Sequence, residues 1–276
     1  MEAVIDITER RAGRSKELAK LTLTTLIRLE KGNPRLQFTT TFDNQMTNHR
    51  LRVLFPSPIE VDHHFADSIF ETVKRPNKPN QQFWENPSNP QHQECFVSLF
   101  DGENGLTIGN YGLNEYEILP ETATVALTLL RCVGELGDWG YFPTPEAQCL
   151  GQQEVHYSFE SIRKETQYAS YWRAQEGQVP PVITQTDHHK GQIASSKTYL
   201  APLADQVALT AFKRRISDNA LITRAYNLSN DKSCPLSLDL THHQAQVTDL
   251  LEREMGDSLP HNLEKAEIIT LAWKED

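Results

Sequence analysis

Glu146 stands in a proline-spaced turn, Thr144-Pro145-Glu146, that runs into an alternating apolar segment ending in Val155, Tyr157 and Phe159. A carboxylate so placed has two uses. It accepts hydrogen bonds from nearby backbone N–H groups and fixes the turn, or it reaches a sugar hydroxyl or orients an arginine such as Arg131. A position between proline and a strand favours the structural use. Glycoside hydrolysis needs two carboxyl groups at a set separation, and a supply of Asp and Glu in turns does not establish such a pair.

Three histidine pairs carry metal-ligand chemistry: His63-His64 and His188-His189, each preceded by an aspartate, and His242-His243. Adjacent residues on a strand point to opposite faces, so each pair offers one ligand to any single site. No HExxH, GxSxG or glycine-rich phosphate loop is present, which removes the sequence signatures of zinc peptidases, serine hydrolases and nucleotide enzymes. Cys95, Cys132, Cys149 and Cys234 form no CxxC pair and read as buried free thiols rather than a zinc or redox motif. The sequon Asn227-Leu228-Ser229 sits in a strand-like segment and is discounted.

The elements that must position these residues are mostly strands. Leu21, Leu23, Thr25, Ile27 and Leu29 alternate, a turn follows at Lys31-Gly32-Asn33-Pro34, and Leu36, Phe38, Thr40 and Phe42 resume the alternation, which predicts an antiparallel hairpin. Leu51, Val53 and Phe55 form another strand, and the Pro/Asn/Gln-rich interval Arg75–Gln93 reads as an exposed loop. Further strands are predicted at Cys95–Phe100, Val155–Phe159, Val207–Phe212, Leu221–Leu228, Leu236–Leu240 and Ile268–Trp273. Thr124–Val133 is apolar on both faces, as a central strand covered on both sides would be. Arg131 lies in that strand, so its guanidinium must leave at the strand end or meet a partner. Ser161–Ala174 reads as a helix or an irregular excursion, and Val247–Met255 has helical spacing. Many short strands separated by turns predict an all-β, two-sheet sandwich.

The 276 residues suffice for one large β body, and 27 basic against 37 acidic residues give a formal charge of −10 with no basic stripe. Nucleic acid is therefore excluded as an expected partner. No apolar run approaches the length that crosses a bilayer, and the N-terminal MEAVIDITERR lacks a signal-peptide pattern, so the expectation is no membrane partner and a cytoplasmic protein.

Several stretches together resemble the C-terminal region of bacterial α-mannosidases of glycoside hydrolase family 38: "NHRLRVLFPS" (48–57), "ADSIFETVKRP" (66–76), "GLTIGNYGLNEYEI" (105–118), "ALTLLRCVGELGDWG" (126–140), "PTPEAQCLGQQEVHYSF" (143–159), "VALTAFKRRISDNALITRAYNLS" (207–229) and "EIITL" (267–271). The ordered series covers nearly the whole chain. The resemblance implies a large antiparallel super-sandwich of the galactose-mutarotase-like kind, with residues 1–200 as its main region and 201–276 as terminal strands completing it. It also implies that the nucleophile, the acid/base and a divalent metal, zinc, belong to an N-terminal α/β barrel. No βα alternation is present, and the chain reads as starting within the sandwich, at Val4-Ile5-Asp6-Ile7.

The same resemblance implies a non-catalytic domain with no metal or cofactor of its own, packed on the barrel of the same protein and helping to close a mannoside site. The bacterial branch of the family includes enzymes similar to hydrolases of mannosylglycerate or of phosphorylated mannosides. Arg131 is the contact carried over by the resemblance, because a planar fork of donors suits paired sugar hydroxyls or an acidic aglycone. Asp138 and Glu146 complete the candidate substrate-binding set. The exposed barrel-facing side predicts an apolar patch and a homo-oligomer. Two other readings stand beside this one. A free-standing carbohydrate-binding module would use Trp139, Tyr141 and Phe142 as its platform, and a mutarotase-like epimerase would exchange a proton between His156 and Glu146.

Overall fold

The structure, a computed structural model, describes residues 19–79, 89–136 and 142–275, apart from 180, 189, 193, 198–199, 201–203, 237–242 and 257–258. The strands run β1 (Leu23–Arg28), β2 (Leu36–Asn44), β3 (Arg50–Pro56), β4 (His63–Ser68), β5 (Glu71–Pro76), β6 (Gln91–His92), β7 (Phe96–Phe100), β8 (Asn104–Asn110), β9 (Glu115–Leu119) and β10 (Thr124–Arg131). After these come β11 (Glu135–Leu136), β12 (Phe142–Pro143), β13 (Gly151–Arg163), helix α1 (Gln167–Glu176), β14 (Val207–Arg214), β15 (Leu221–Asn227), β16 (Cys234–Pro235), β17 (His243–Thr248), β18 (Asn262–Leu263) and β19 (Ile268–Glu275).

An antiparallel seven-stranded sheet, β1-β2-β13-β8-β7-β4-β5, faces a four-stranded one, β3-β10-β9-β6. The predicted hairpin is β1–β2, with Leu23 opposite Phe42 and Arg28 opposite Gln37. Val97, Leu99, Leu106, Ile108 and Tyr157 from the larger sheet meet Tyr116, Ile118, Val125, Leu127 and Leu129 from the smaller in one core. Those residues alternate along their strands, so the sheet-on-sheet packing follows from period-two patterning. Strand β10 is buried from Thr124 to Leu130, as expected for a strand covered on both sides.

Helix α1 covers the other side of the larger sheet. Its Tyr171 ring stacks on Phe96 at 4.2 Å between centroids. Arg173 donates from Nε to Glu160 of β13 at 2.9 Å and pairs through Nη2 with the second carboxylate oxygen, which compensates a carboxylate buried beneath the helix. Gly109 permits this approach: a Cβ there would lie 2.5 Å from Ser158 Oγ and 3.3 Å from the Ala174 Cβ. The helix starts at Gln167, with Ser161–Arg163 still in β13, and it buries Ser170, Tyr171 and Ala174.

A second four-stranded sheet, β14-β15-β19-β17, encloses a separate cluster around Val207, Ala225, Leu271 and Trp273. It joins the main body where Ala208, Tyr226 and Leu228 pack with Phe96 and Tyr171. Val247–Met255, predicted helical, instead holds the end of β17 and a tight turn in which Asp249 accepts from the backbone N–H of Leu251 and Arg253, both at 2.9 Å. The Asp249 carboxylate closes that turn, and helical spacing over so short a span is insufficient to prevent it. The interval Arg75–Gln93 is likewise no simple exposed loop. Arg75 and Pro76 belong to β5, Gln91 and His92 form β6, and Asn77 and Gln93 are buried; residues 80–88 lie outside the described ones. The strand predicted at Leu236–Leu240 also falls outside them beyond Leu236. Asn227 of the sequon is buried, with Nδ2 donating to the carbonyls of Lys232 and Glu264 at 2.7 and 3.1 Å, so its side chain is committed to the fold.

Candidate functional site

Strand β10 delivers Arg131 to the end of the smaller sheet. A β-bulge between Thr128 and Leu130 shifts the register against β3, so that Arg131 pairs with Arg50. Bulges re-aim the side chains beyond them: Leu130 and Cys132 join a cluster with Phe42, while the Arg131 side chain is 54% exposed. It leaves at the strand end and also meets a partner, Glu115 of β9.

That pair belongs to a ladder of charges across β3, β10 and β9. Glu115 accepts from Thr128 Oγ1 at 2.8 Å and pairs with Arg50 Nε at 2.9 Å as well as with Arg131. Glu117 pairs with Arg52 at 2.6 Å and with Arg50 at 3.4 Å. Burial works to raise the Glu115 carboxyl, but hydrogen bonds from Thr128 and Arg131 and the charge of Arg50 outweigh it and hold it below the usual carboxylate range. Three guanidinium groups against two carboxylates leave the ladder net positive.

Beside Arg131 lies a groove of about 360 Å³ bordered by Asn48, His49, Arg50, Cys132 and Gly134. Of these residues, Arg50 Nη2 and both ring nitrogens of His49 are buried without a hydrogen-bond partner among the described residues. Such groups are costly to leave unpaired, and hydroxyl or carboxylate oxygens are the partners they suit. Asn48, at its border, is held by a reciprocal pair: Asn48 N donates to Gln148 Oε1 and Gln148 Nε2 to Asn48 Oδ1, both at 2.8 Å. Gly134 sits against that pair, where a Cβ would lie 2.6 Å from Asn48 Oδ1.

Among the described residues Glu146 neither fixes its turn nor orients Arg131. It lies in a 3-10 turn, Pro145–Gln148, closed by Cys149 in the left-handed region at φ 48°. Its side chain is exposed, and its carboxylate has no hydrogen bond or ion pair among the described residues. The turn is held instead by Thr144, whose Oγ1 donates to Val133 O at 2.7 Å and whose N–H donates to Gly134 O at 2.9 Å. Arg131 is oriented by Glu115, not by Glu146. Asp138, Trp139 and Tyr141 lie outside the described residues. His156 pairs with Glu154 at 3.3 Å and with Thr39 Oγ1 at 3.1 Å, so the geometry gives it a different carboxylate from the Glu146 expected of an epimerase.

Of the histidine pairs, His64 points into the core, with Nδ1 2.8 Å from Asn77 Oδ1 and Nε2 2.6 Å from Tyr116 Oη, whereas His63 pairs with Asp62. His189 and His242 lie outside the described residues. Among the described residues no three of His, Cys, Asp and Glu gather in a set able to hold a metal ion, and no helix is long and apolar enough to cross a membrane. Missed in the sequence are the groove residues His49 and Arg50, with Glu115, which holds Arg131, and Gln148, which holds Asn48. A signal existed for two of them, since Arg50 and Arg52 alternate on one strand as Glu115 and Glu117 do on another.

Two models of one family match the chain: the glycosyl hydrolases family 38 C-terminal domain over residues 8–135 and the family 38 C-terminal beta sandwich domain over 206–271. A Halalkalibacterium halodurans protein described as "Putative mannosylglycerate hydrolase" is 37% identical over 272 residues, 96% of this chain and 30% of that protein. The crystal structure of an alpha-mannosidase from Enterococcus faecalis V583 superposes with a TM-score of 0.88 at 41% identity, covering 97% of this chain and 30% of that one. A family 38 glycosyl hydrolase structure from Enterococcus faecalis gives 0.86 at 40% identity, covering 98% and 32%. The chain thus spans about a third of the length of these relatives.

Proposed function

This chain belongs to the C-terminal region of glycoside hydrolase family 38, and we propose that it serves an α-mannoside hydrolase as the non-catalytic sandwich that packs on the catalytic barrel and completes the rim of the sugar site. The observation that carries this reading is coverage: relatives named as an alpha-mannosidase and a mannosylglycerate hydrolase align along nearly all of this chain, yet it accounts for 30% of their length. The two carboxyl groups of retaining hydrolysis and the divalent metal, zinc, are assigned to the remainder. The cytoplasm is the proposed setting.

Strand β1 supports a packing role. Every residue of it is exposed, including Leu26 at 60% and Ile27 at 59%, and among the described residues it is an edge strand of the larger sheet. An apolar edge with unpaired backbone groups is a surface that proteins normally cover. In the absence of the barrel, two copies of the chain would cover it for each other.

At the groove, Glu115 engages one nitrogen of Arg131 and fixes the guanidinium, leaving the rest of the fork for substrate oxygens. With Arg50 and His49 alongside, the groove favours a substrate whose aglycone carries a carboxylate, such as mannosylglycerate. The test is Arg131→Ala in the full-length hydrolase. The expected result is a KM for mannosylglycerate raised tenfold or more, as the loss of about 1.5–3 kcal/mol from a charged hydrogen bond requires, with a smaller change for an uncharged aryl α-mannoside. Equal KM values for wild type and variant on both substrates would remove Arg131 from the rim.

A further inference from the structure

The two sandwich units meet in a cleft of about 250 Å³ that shares no residue with the Arg131 groove. Its walls include the half-buried rings of Phe65 on β4 and Tyr168 on α1, together with the buried Phe100 and Tyr171. The opposite wall is the polar segment Ser229–Lys232 that follows β15. We propose that this cleft binds a single neutral sugar ring, independently of the rim role of Arg131.

Thr72 supplies the observation that separates a site from a crevice. It borders the cleft, is 3% exposed, and its Oγ1 is buried without a hydrogen-bond partner among the described residues. A hydroxyl in that state costs free energy unless something hydrogen-bonds to it. The mixed chemistry of the walls selects the ligand class. Aromatic faces stack on the C–H face of a ring, and the polar lining, Asp101 with the Ser229–Lys232 segment, offers both an acceptor and donors. Asp101 binds two backbone N–H groups through Oδ1 alone, at 2.8 and 2.7 Å, which leaves Oδ2 as an acceptor for a ligand hydroxyl, while Lys232 and the Asn230 amide donate.

A quaternary ammonium would also stack on the aromatics and meet the carboxylates of Asp101 and Asp231, but it carries no hydrogen-bonding atom for the Thr72 hydroxyl, whereas a sugar hydroxyl does. The volume lies below the roughly 300–1,000 Å³ typical of drug-sized ligand sites, so one ring rather than an oligosaccharide is the occupant.

Titration of the purified chain with methyl α-mannopyranoside, methyl α-glucopyranoside and choline, followed by NMR, tests this directly. The expected result is millimolar binding of at least one glycoside and none of choline. Tyr168→Ala should weaken the glycoside tenfold or more. Thr72→Val, which preserves shape, should weaken it about fivefold while leaving the melting temperature equal or higher, so a folding defect cannot mimic the loss. The proposal is overturned if neither glycoside binds, if choline alone binds, or if glycoside binding survives both substitutions and is lost on Arg131→Ala. Failure here leaves the rim proposal intact, since that is read from KM in the full-length hydrolase.

Discussion

Strand β4 carries two buried titratable groups whose burial acts in opposite directions with pH. His64 faces the core between the main sheets, and burial, with a smaller effect from Arg75 and His63, takes its imidazolium from 6.5 down to about 4 despite its bond to Asn77. Asp67, three residues on, is also buried and is pushed by burial from 3.8 up to about 6, against the hydrogen bond from Cys95 N at 3.0 Å. For His64 the folded value is depressed, so its contribution is present above pH 6.5 and is lost as pH falls towards 4. For Asp67 the folded value is raised, so its contribution is complete below pH 3.8 and is lost as pH rises through 6. At about 1.4 kcal/mol per pKa unit, each shift of a little over two units corresponds to about 3 kcal/mol. Between pH 6.5 and 4 the two effects oppose each other. Asp67→Asn should therefore lose about 3 kcal/mol relative to wild type as pH falls across that range, and His64→Gln should gain about as much. Urea denaturation at half-unit steps from pH 4 to 7.5 reads both difference curves, in which all other groups cancel. Difference curves that are flat, or that slope the same way, would show that burial does not set the titration of these two groups.

The remaining predictions concern packing and the exposed edge. Gly109→Val should destabilise the chain by about 1–3 kcal/mol, because no side chain fits between β8 and α1 without displacing Ser158 or the helix; thermal melts check it, and an unchanged Tm would mean that the helix moves freely. Leu26→Lys with Ile27→Lys should abolish self-association in sedimentation experiments and leave stability within about 0.5 kcal/mol, since both residues are exposed on β1. Self-association that persists would place the contact elsewhere.

Much of this architecture was legible from period-two patterning. The β1–β2 hairpin, β3, β7, β10, β14, β15 and β19 each announced themselves by alternation or, in β10, by apolar residues on both faces. The hairpin β4–β5 was missed because its apolar residues are interrupted by polar ones: His64 and Asp67 are buried through hydrogen bonds that bring partners from distant residues, Asn77 and Cys95. Val247–Met255 misled for the reverse reason, as an Asp-closed turn happens to space apolar residues like a helix.

The site was legible at one residue. Arg131 was visible as a charge in an apolar strand. Its true partner, Glu115, was not, because choosing among carboxylates requires knowing that β9 pairs with β10. Glu146 looked like the turn's anchor, yet Thr144 makes the hydrogen bonds, and one sequence gives no means of choosing between two polar neighbours in a turn. The amide pair of Asn48 and Gln148 spans 100 residues and leaves no local trace.

If the hydrolytic machinery lies outside this chain, as proposed, the sandwich alone must be inert. The decisive experiment incubates the purified chain, with and without added zinc, with an aryl α-mannoside and with mannosylglycerate, beside the full-length hydrolase. Release at the buffer rate is expected from the chain in every condition, with turnover from the full-length protein alone. Metal-dependent release by the chain, abolished by Glu146→Gln, would instead place the active site within the sandwich.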